Sequence, residues 1–332
     1  MTLLADLVAV SETLRTTPGR RDKVAALAGF LGAVTADEMA PAVAYLAGEL
    51  PQGRTGIGAA TLRRSMPAAP AEEPSLTLHD VDTAFESIAT TTGAGSQAVR
   101  TQRLGSLLEA ATETEIEFIW RLVLGDLRQG ALEGLMVDAV ARATGVARGR
   151  VRRAHMLGGD LAAVAAAARS GGEEAVAAFR LELFRPVLPM LAQTAPDVGE
   201  ALSRFGTAAL EWKIDGARIQ VHKQGSEVRI YSRTRHDVTG RLPEIVADIA
   251  GFPAESLILD GEAIALDSDG RPRLFQETMG RFATTVAAAE DDESVRLTGF
   301  FFDCLLLDGR DLLDQPAPDR TNALADAVPE PW

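Results

Sequence analysis

The apolar residues of this chain change their repeat part-way along it, and no single kind of layer satisfies both repeats. Up to about residue 183 they recur at three- and four-residue spacing. Leu3, Leu4, Leu7 and Val8 share one face, Val24, Leu27, Phe30 and Leu31 another, and Glu115–Leu127 and Leu161–Arg169 keep the same rhythm. This is the pattern of amphipathic helices. From about residue 207 the repeat shortens towards two. Ala217–Lys223, Glu227–Ser232, Leu257–Leu259, Ala263–Leu266 and Gly299–Leu307 read as strands with turns between them, and 242–250 as one helix. The expected fold is multidomain: an all-α domain over 1–183, then an α+β, antiparallel-rich domain over 184–332. The join lies in Phe184–Leu191, where Pro186 and Pro189 force an extended passage. Residues 67–74, PAAPAEEP, read as a linker, and the helical period breaks at Thr92–Gly95, Gly145 and Gly158–Gly159.

Composition narrows the class. With 332 residues there is room for two or three domains, and 46% hydrophobic with 24% charged residues is a globular balance. No apolar run is long enough to cross a bilayer, so no membrane partner is expected. The N-terminal stretch lacks the basic start and cleavage site of a secretory signal. Cys304 is the sole cysteine, which excludes a disulfide framework. A cytoplasmic protein is the expectation. The net charge of −14 argues against a surface coated in nucleic acid but leaves room for a local basic groove.

Of 33 basic residues only Lys23, Lys213 and Lys223 are lysines. Where arginine serves, this chain uses arginine, so a remaining lysine is a candidate for chemistry that a permanent cation cannot perform. Lys213 sits in Glu211-Trp212-Lys213-Ile214-Asp215-Gly216-Ala217-Arg218. The reading is a strand that delivers Lys213 to an Asp215-Gly216 turn, and a second strand that carries Arg218 back past it. Alternation would put Glu211 and Lys213 on one face. An amine so placed attacks an electrophile once neighbouring cations or a metal lower its pKa. An ordinary hairpin with an exposed lysine fits the same eight residues. Further along, Arg233 follows Tyr231-Ser232 at a strand end, Glu262 emerges past a second Asp260-Gly261 turn, and Phe302 lies in an apolar strand. Taken singly, each is equally an ordinary surface or core residue.

In this order the segments resemble the lysine nucleotidyltransferases that include ATP-dependent DNA ligases. Lys213-Ile214-Asp215-Gly216 resembles the adenylation motif and Tyr231-Ser232-Arg233 its companion. Leu259-Asp260-Gly261-Glu262 is similar to the third motif, and Gly299–Leu307 to the aromatic one. Arg185–Ala192 resembles the lead-in to the catalytic domain. Gly93–Arg100 and Leu124–Gly130 resemble the DNA-binding domain of the larger, actinobacterial-type ligases. The resemblance implies that Lys213 attacks the α-phosphate of ATP, forming a phosphoramidate to AMP and expelling pyrophosphate. It implies that Phe302 stacks on adenine, Glu211 lies at the adenine edge, and Arg218 and Arg233 contact ribose and phosphate. Glu262 would lie by the ribose and a magnesium ion, and Asp215 would help to position the lysine. AMP then passes to the 5′-phosphate of a nick and is displaced by the 3′-hydroxyl. The implied partner is nicked duplex DNA, bound by a monomer associated with the nucleoid.

Two departures stand out. The family continues with a glutamate-glycine-hydrophobic-lysine motif, a lysine pair and an oligonucleotide-binding fold, and none of these follows Phe302 here. Glu133–Asp138 mimics the first, but it falls in a helical stretch ahead of Lys213 with Asp138 at the lysine position. The chain is therefore expected to be the N-terminal part of a ligase, unable to close nicks by itself. The alternatives are a non-catalytic DNA-binding protein with a relic nucleotide pocket, or an RNA ligase or capping enzyme. The large helical half disfavours the latter two.

Residues 139–159 hold Arg142, Arg148, Arg150, Arg152, Arg153 and His155, and no acid. In so acidic a chain this is a concentrated positive stripe. Arg148, Arg150, Arg152 and Arg153 are the candidate DNA contacts, with backbone N–H groups near Gly93, Gly95, Ser96 and Gly158-Gly159 as auxiliaries. A solvated basic helix face is the plainer account. No aromatic residues interleave with these arginines, so single-strand binding is not indicated. The four histidines lack metal spacing, Cys304 reads as core, and Glu290–Glu293 as a solvated acidic loop.

Overall fold

The computed structural model describes residues 1–127, 129, 131, 133–190, 192–283 and 296–329. They form two compact units, Met1–Arg180 and Leu181–Trp332.

The first unit is helical: α1 (Leu4–Thr16), α2 (Arg20–Ala33), α3 (Met39–Ala47), α4 (Ala59–Arg64), α5 (Leu78–Ala89), α6 (Ser96–Glu109), α7 (Glu113–Val123), α8 (Glu133–Thr144), α9 (Arg148–Gly158) and α10 (Leu161–Ala177). Thr77 with Asp80 and Thr112 with Glu115 form capping boxes that start α5 and α7. Each satisfies otherwise orphaned N–H groups at the first turn. One apolar cluster runs from Leu4 through Leu78, Phe85 and Ile119 to Val176. The segment 67–74 is therefore a connection inside one core. It is also tied down, because the Ala71 N–H donates to the Ala111 carbonyl at 2.9 Å.

The second unit holds α11 (Val198–Phe205), β1 (Ala217–Gln224), β2 (Glu227–Ser232), α12 (Pro243–Ala250), β3 (Ser256–Ala265), α13 (Phe275–Ala283), β4 (Leu297–Leu307), β5 (Arg310–Asp311) and α14 (Ala317–Ala327). The sheet order is β2-β1-β3-β4-β5, antiparallel throughout. Ile219, Val221, Ile230, Leu257, Leu259 and Ala263 point to one face, where Ile245, Ile249, Phe282, Ala323 and Ala327 of the helices bury them. Strand alternation sends the intervening polar residues to the opposite face.

Two sequence expectations are corrected here. Asp260-Gly261 is not a turn, because β3 runs unbroken through it. A Cβ on Gly261 would lie 2.5 Å from the Phe300 carbonyl oxygen and 2.8 Å from the Phe301 ring. The glycine serves close strand approach rather than reversal. Nor is Leu210–Lys213 a strand, since regular pairing begins only at Ala217. Upstream of that residue no strand pairs with the backbone among the described residues, so alternation alone does not define it. The Glu290–Glu293 run, together with Arg128, Gly130 and Leu191 of the resembling segments, lies outside the described residues.

The lysine count resolves structurally. Lys223 is buried, and its Nζ donates to the carbonyls of Phe252 (2.9 Å) and Ala254, just past α12. Lys23 Nζ donates to the Gln129 carbonyl at 3.2 Å. Both hold backbone oxygens, while Lys213 is 82% exposed at the entry to β1.

Candidate active site

Register assembles the site on the sheet face opposite the helices. Arg218 pairs with Glu262 across β1 and β3, and Gln220 with Asp260, while Glu262 faces Phe300 on β4. Arg218 donates to Asp260 Oδ2 at 2.7 Å. Its guanidinium lies over the Phe302 ring, 4.7 Å from the centroid, in cation–π geometry. The lead-in segment covers this face. The Val187 N–H donates to Gln220 Oε1 at 2.8 Å, the Phe184 N–H to His222 Nδ1 at 2.9 Å, and the Tyr231 hydroxyl to the Phe184 carbonyl at 2.8 Å. A narrow cleft between segment and sheet is lined by Pro186, Val187, Arg218, Ser232, Arg233 and Asp260.

Glu262 is the focus of the charges. Burial pushes its carboxyl above the usual range, Arg218, Lys213 and Arg233 pull it down, and Asp215 adds to the rise. The five charged groups share one small region. Glu262 Oε2 is buried without a hydrogen-bond partner among the described residues. Such an oxygen suits a proton or a hard cation. No cluster of three or more His, Cys, Asp or Glu side chains among the described residues is arranged to hold a metal. Magnesium fits this donor set, because it takes one or two carboxylates and completes its shell with phosphate oxygens and water.

Lys213 is not poised as a free amine. Its Nζ donates to Asp215 Oδ1 at 2.6 Å, and this bond raises its pKa above the ordinary lysine value. The expected lowering by cations is absent in this state, and the residue stands as an ammonium. Glu211 is exposed, and neither a hydrogen bond nor an ion pair engages it among the described residues, so the structure does not bring it to the others. Phe302 is 37% exposed, which is unusual for a ring in a central strand region and leaves it open to stacking. Sequence reading missed Gln220, His222 and Phe184, and took Asp260 as a turn residue. The period-2 register from Arg218 onward was the signal that could have found Gln220 and His222. A larger cavity of about 630 Å³, lined by His79, Asp80 and Arg103, lies between α5 and α6 and shares no residue with this site.

Each unit matches a known family. The "ATP dependent DNA ligase domain" family matches residues 189–331, and "DNA ligase N terminus" matches residues 59–141. A "Probable DNA ligase" of Saccharopolyspora erythraea is 50% identical over 328 residues, 99% of this chain and 63% of its own length. One from Anaeromyxobacter dehalogenans is 51% identical over 330 residues, 98% of this chain and 64% of its own length. The chain carries both of these ligase domains, each matched by its own family model. It spans a little under two-thirds of the length of these relatives. A solved mycobacterial DNA ligase D complexed with ATP and MES is 34% identical over 36% of this chain and 38% of its own, with a TM-score of 0.28.

In the ligase chain the arginine stripe lies on α9, beyond the residues matched by the N-terminal family. It is less bare in space than in sequence. Arg148 pairs with Asp138, and Arg150 with Glu173 at 2.7 Å. Arg152 is exposed and Arg153 half-buried. The helix start after Gly158-Gly159 is occupied, because the Asp160 carboxylate caps α10 by accepting from the N–H groups of Ala162 and Ala163. A phosphate there would meet a carboxylate, so this auxiliary site is withdrawn. The start of α6 has Gly95 at its cap, φ +80°, with no side-chain cap. Asp138, at the lysine position of the mimic segment, lies in α8 and also binds Arg20 at 2.8 Å.

Proposed function

We propose that this chain binds ATP on the open face of its sheet and carries AMP on Lys213, as the first step of nick sealing. The observation that carries this reading is the Glu262 carboxylate. Its unpartnered buried oxygen lies among the charges of Lys213, Asp215, Arg218 and Arg233. Phe302 offers a ring face to adenine, and the exposed Glu211 would reach the adenine edge. Arg218 and Arg233 bind ribose and phosphate oxygens, for which a planar guanidinium is suited. Glu262, with Asp215 nearby, would hold magnesium, which when bound neutralises phosphate charge.

The ion pair sets the order of events at Lys213. The ammonium must lose a proton before Nζ can attack the α-phosphorus, and Asp215, its hydrogen-bond partner, is the acceptor at hand. The new bond is N–P, the bond to the β-phosphate oxygen breaks, pyrophosphate leaves, and the nitrogen sheds its second proton to water. AMP would then pass to the 5′-phosphate of a nick, and the 3′-hydroxyl would displace it. ATP labelled in its α-phosphate, with magnesium, is expected to leave label on the chain that survives alkali and is released by acid, as a phosphoramidate is. Lys213→Arg keeps the charge and removes the nucleophile, and is expected to leave none. Equal labelling of the two proteins would refute the assignment.

Nicked duplex DNA is the proposed partner of a monomeric, nucleoid-associated protein, with Arg148, Arg150, Arg152 and Arg153 on phosphates. The Arg150–Glu173 pair is exposed and is worth at most about 1 kcal/mol, so phosphate can replace Glu173, whereas Asp138 is half-buried and shared between Arg148 and Arg20. Binding is expected to be independent of sequence and steeply salt-dependent. Replacing Arg150, Arg152 and Arg153 together by alanine is expected to reduce the slope of log K against log salt by roughly 2–3, at about 0.9 per phosphate contact. An unchanged slope would remove α9 from the DNA interface.

A further inference from the structure

We infer that His222 is a positioning residue that acts through Gln220 and Asp260 to aim Arg218 across Phe302. The inference rests on the reading of Arg218 and Phe302 as nucleotide contacts. The chain of bonds is continuous. The Phe184 N–H donates to His222 Nδ1 at 2.9 Å, which leaves that nitrogen without a proton. The neutral ring therefore carries its proton on Nε2, which faces Gln220 Oε1 at 3.0 Å. The same oxygen accepts from the Val187 N–H at 2.8 Å.

Two donors aimed at one oxygen fix which way round the amide stands. The Gln220 NH₂ is thereby turned to Asp260 Oδ1, 3.3 Å away. Asp260 then presents its other oxygen to Arg218 at 2.7 Å, and the guanidinium settles over Phe302. His222 is fully buried and Gln220 nearly so, which keeps water from replacing the link between them, while the links through Asp260 are half-buried. Reversing the Gln220 amide would set NH₂ against two N–H donors and oxygen against a carboxylate. The relay also couples the lead-in segment to the site, because Phe184 and Val187 supply its first donors. A purely structural histidine would need none of this ordering beyond itself.

The test has an arm that needs no nucleotide. In the intact chain, ¹⁵N spectra of His222 at neutral pH are expected to show the Nε2–H tautomer, and the Nδ1–H tautomer would overturn the relay. Gln220→Leu is expected to speed water exchange of the Arg218 guanidinium protons about tenfold, the scale of one lost hydrogen bond to a charged group. Unchanged exchange would also overturn it. The second arm measures equilibrium binding of ATP alone. Gln220→Leu and Arg218→Ala are each expected to weaken it about tenfold, and the double variant to be no weaker than Arg218→Ala, since residues in one network do not add. An additive loss of about a hundredfold would show that Gln220 acts independently of Arg218. If the wild-type chain binds no ATP, the nucleotide reading of this face fails, while the tautomer and exchange results still decide the relay.

Discussion

Between pH 6.5 and about 3 the sheet-containing unit is expected to lose stability because His222 must stay neutral. Burial pushes this imidazole down from 6.5 to about 3. In that window the unfolded chain binds a proton that the folded chain excludes, so stability falls as pH falls. The contribution is fully present above 6.5 and fully lost near 3. Its ceiling is on the order of 5 kcal/mol, a large share of a domain's stability. The groups facing the ring are Tyr231, 5.1 Å away edge-on, Phe184, Asp260 through Gln220, and Arg229, the cross-strand partner of His222, whose guanidinium lies over the Phe184 ring. No carboxylate pairs directly with the imidazole among the described residues to offset the proton. Urea midpoints from pH 7 to 4 should therefore diverge between wild type and His222→Asn. The wild-type slope is expected to be steeper by up to about 1.4 kcal/mol per pH unit, the value for one proton. Parallel curves would mean that the imidazole is solvated or charged in the folded state.

Gly261→Ala is expected to destabilise the same unit by about 3 kcal/mol or more, at the upper end of the overpacking range. The added methyl would meet the Phe300 carbonyl at 2.5 Å, which belongs to the backbone of the adjoining strand and cannot turn aside. Relief requires β3 and β4 to separate, which breaks the pairing of Glu262 with Phe300. A comparable alanine at Gly270, a loop glycine with open space around it and φ +75°, should act only through backbone strain. Chemical denaturation of both variants distinguishes the two causes. A Gly261→Ala protein as stable as wild type would show that the strands are further apart than described.

Much of this was legible in the sequence, for a physical reason. Hydrophobic period separates a helical from a sheet-containing half because burial on one face imposes the repeat of the backbone itself. The helix at Pro243–Ala250 and the strands at β1, β2 and β4 follow from that alone. Asp260-Gly261 misled because a glycine next to an aspartate has the chemistry of a turn, whereas here the glycine answers to a neighbouring strand that lies forty residues away in sequence. Lys213 misled in another way. A separate strand was read over Leu210–Lys213, ahead of Ala217, where pairing begins. Arg218, Arg233, Glu262 and Phe302 could be singled out from motif order, but their convergence depends on cross-strand register, which one strand cannot reveal. The positive stripe on α9 was legible as charge. Its pairing with Asp138 and Glu173 was not, because those acids come from other helices.

The measurement that bears most directly on the central claim is to find which lysine carries AMP. The chain has only Lys23, Lys213 and Lys223, so peptide mapping by mass spectrometry after incubation with ATP and magnesium gives a three-way answer. Lys23 and Lys223 hold backbone carbonyls, and only Lys213 stands at the open face beside Asp215. AMP is expected on Lys213 alone. AMP on Lys23 or Lys223, or none on the chain, would contradict the assignment of this sheet face as the adenylation site.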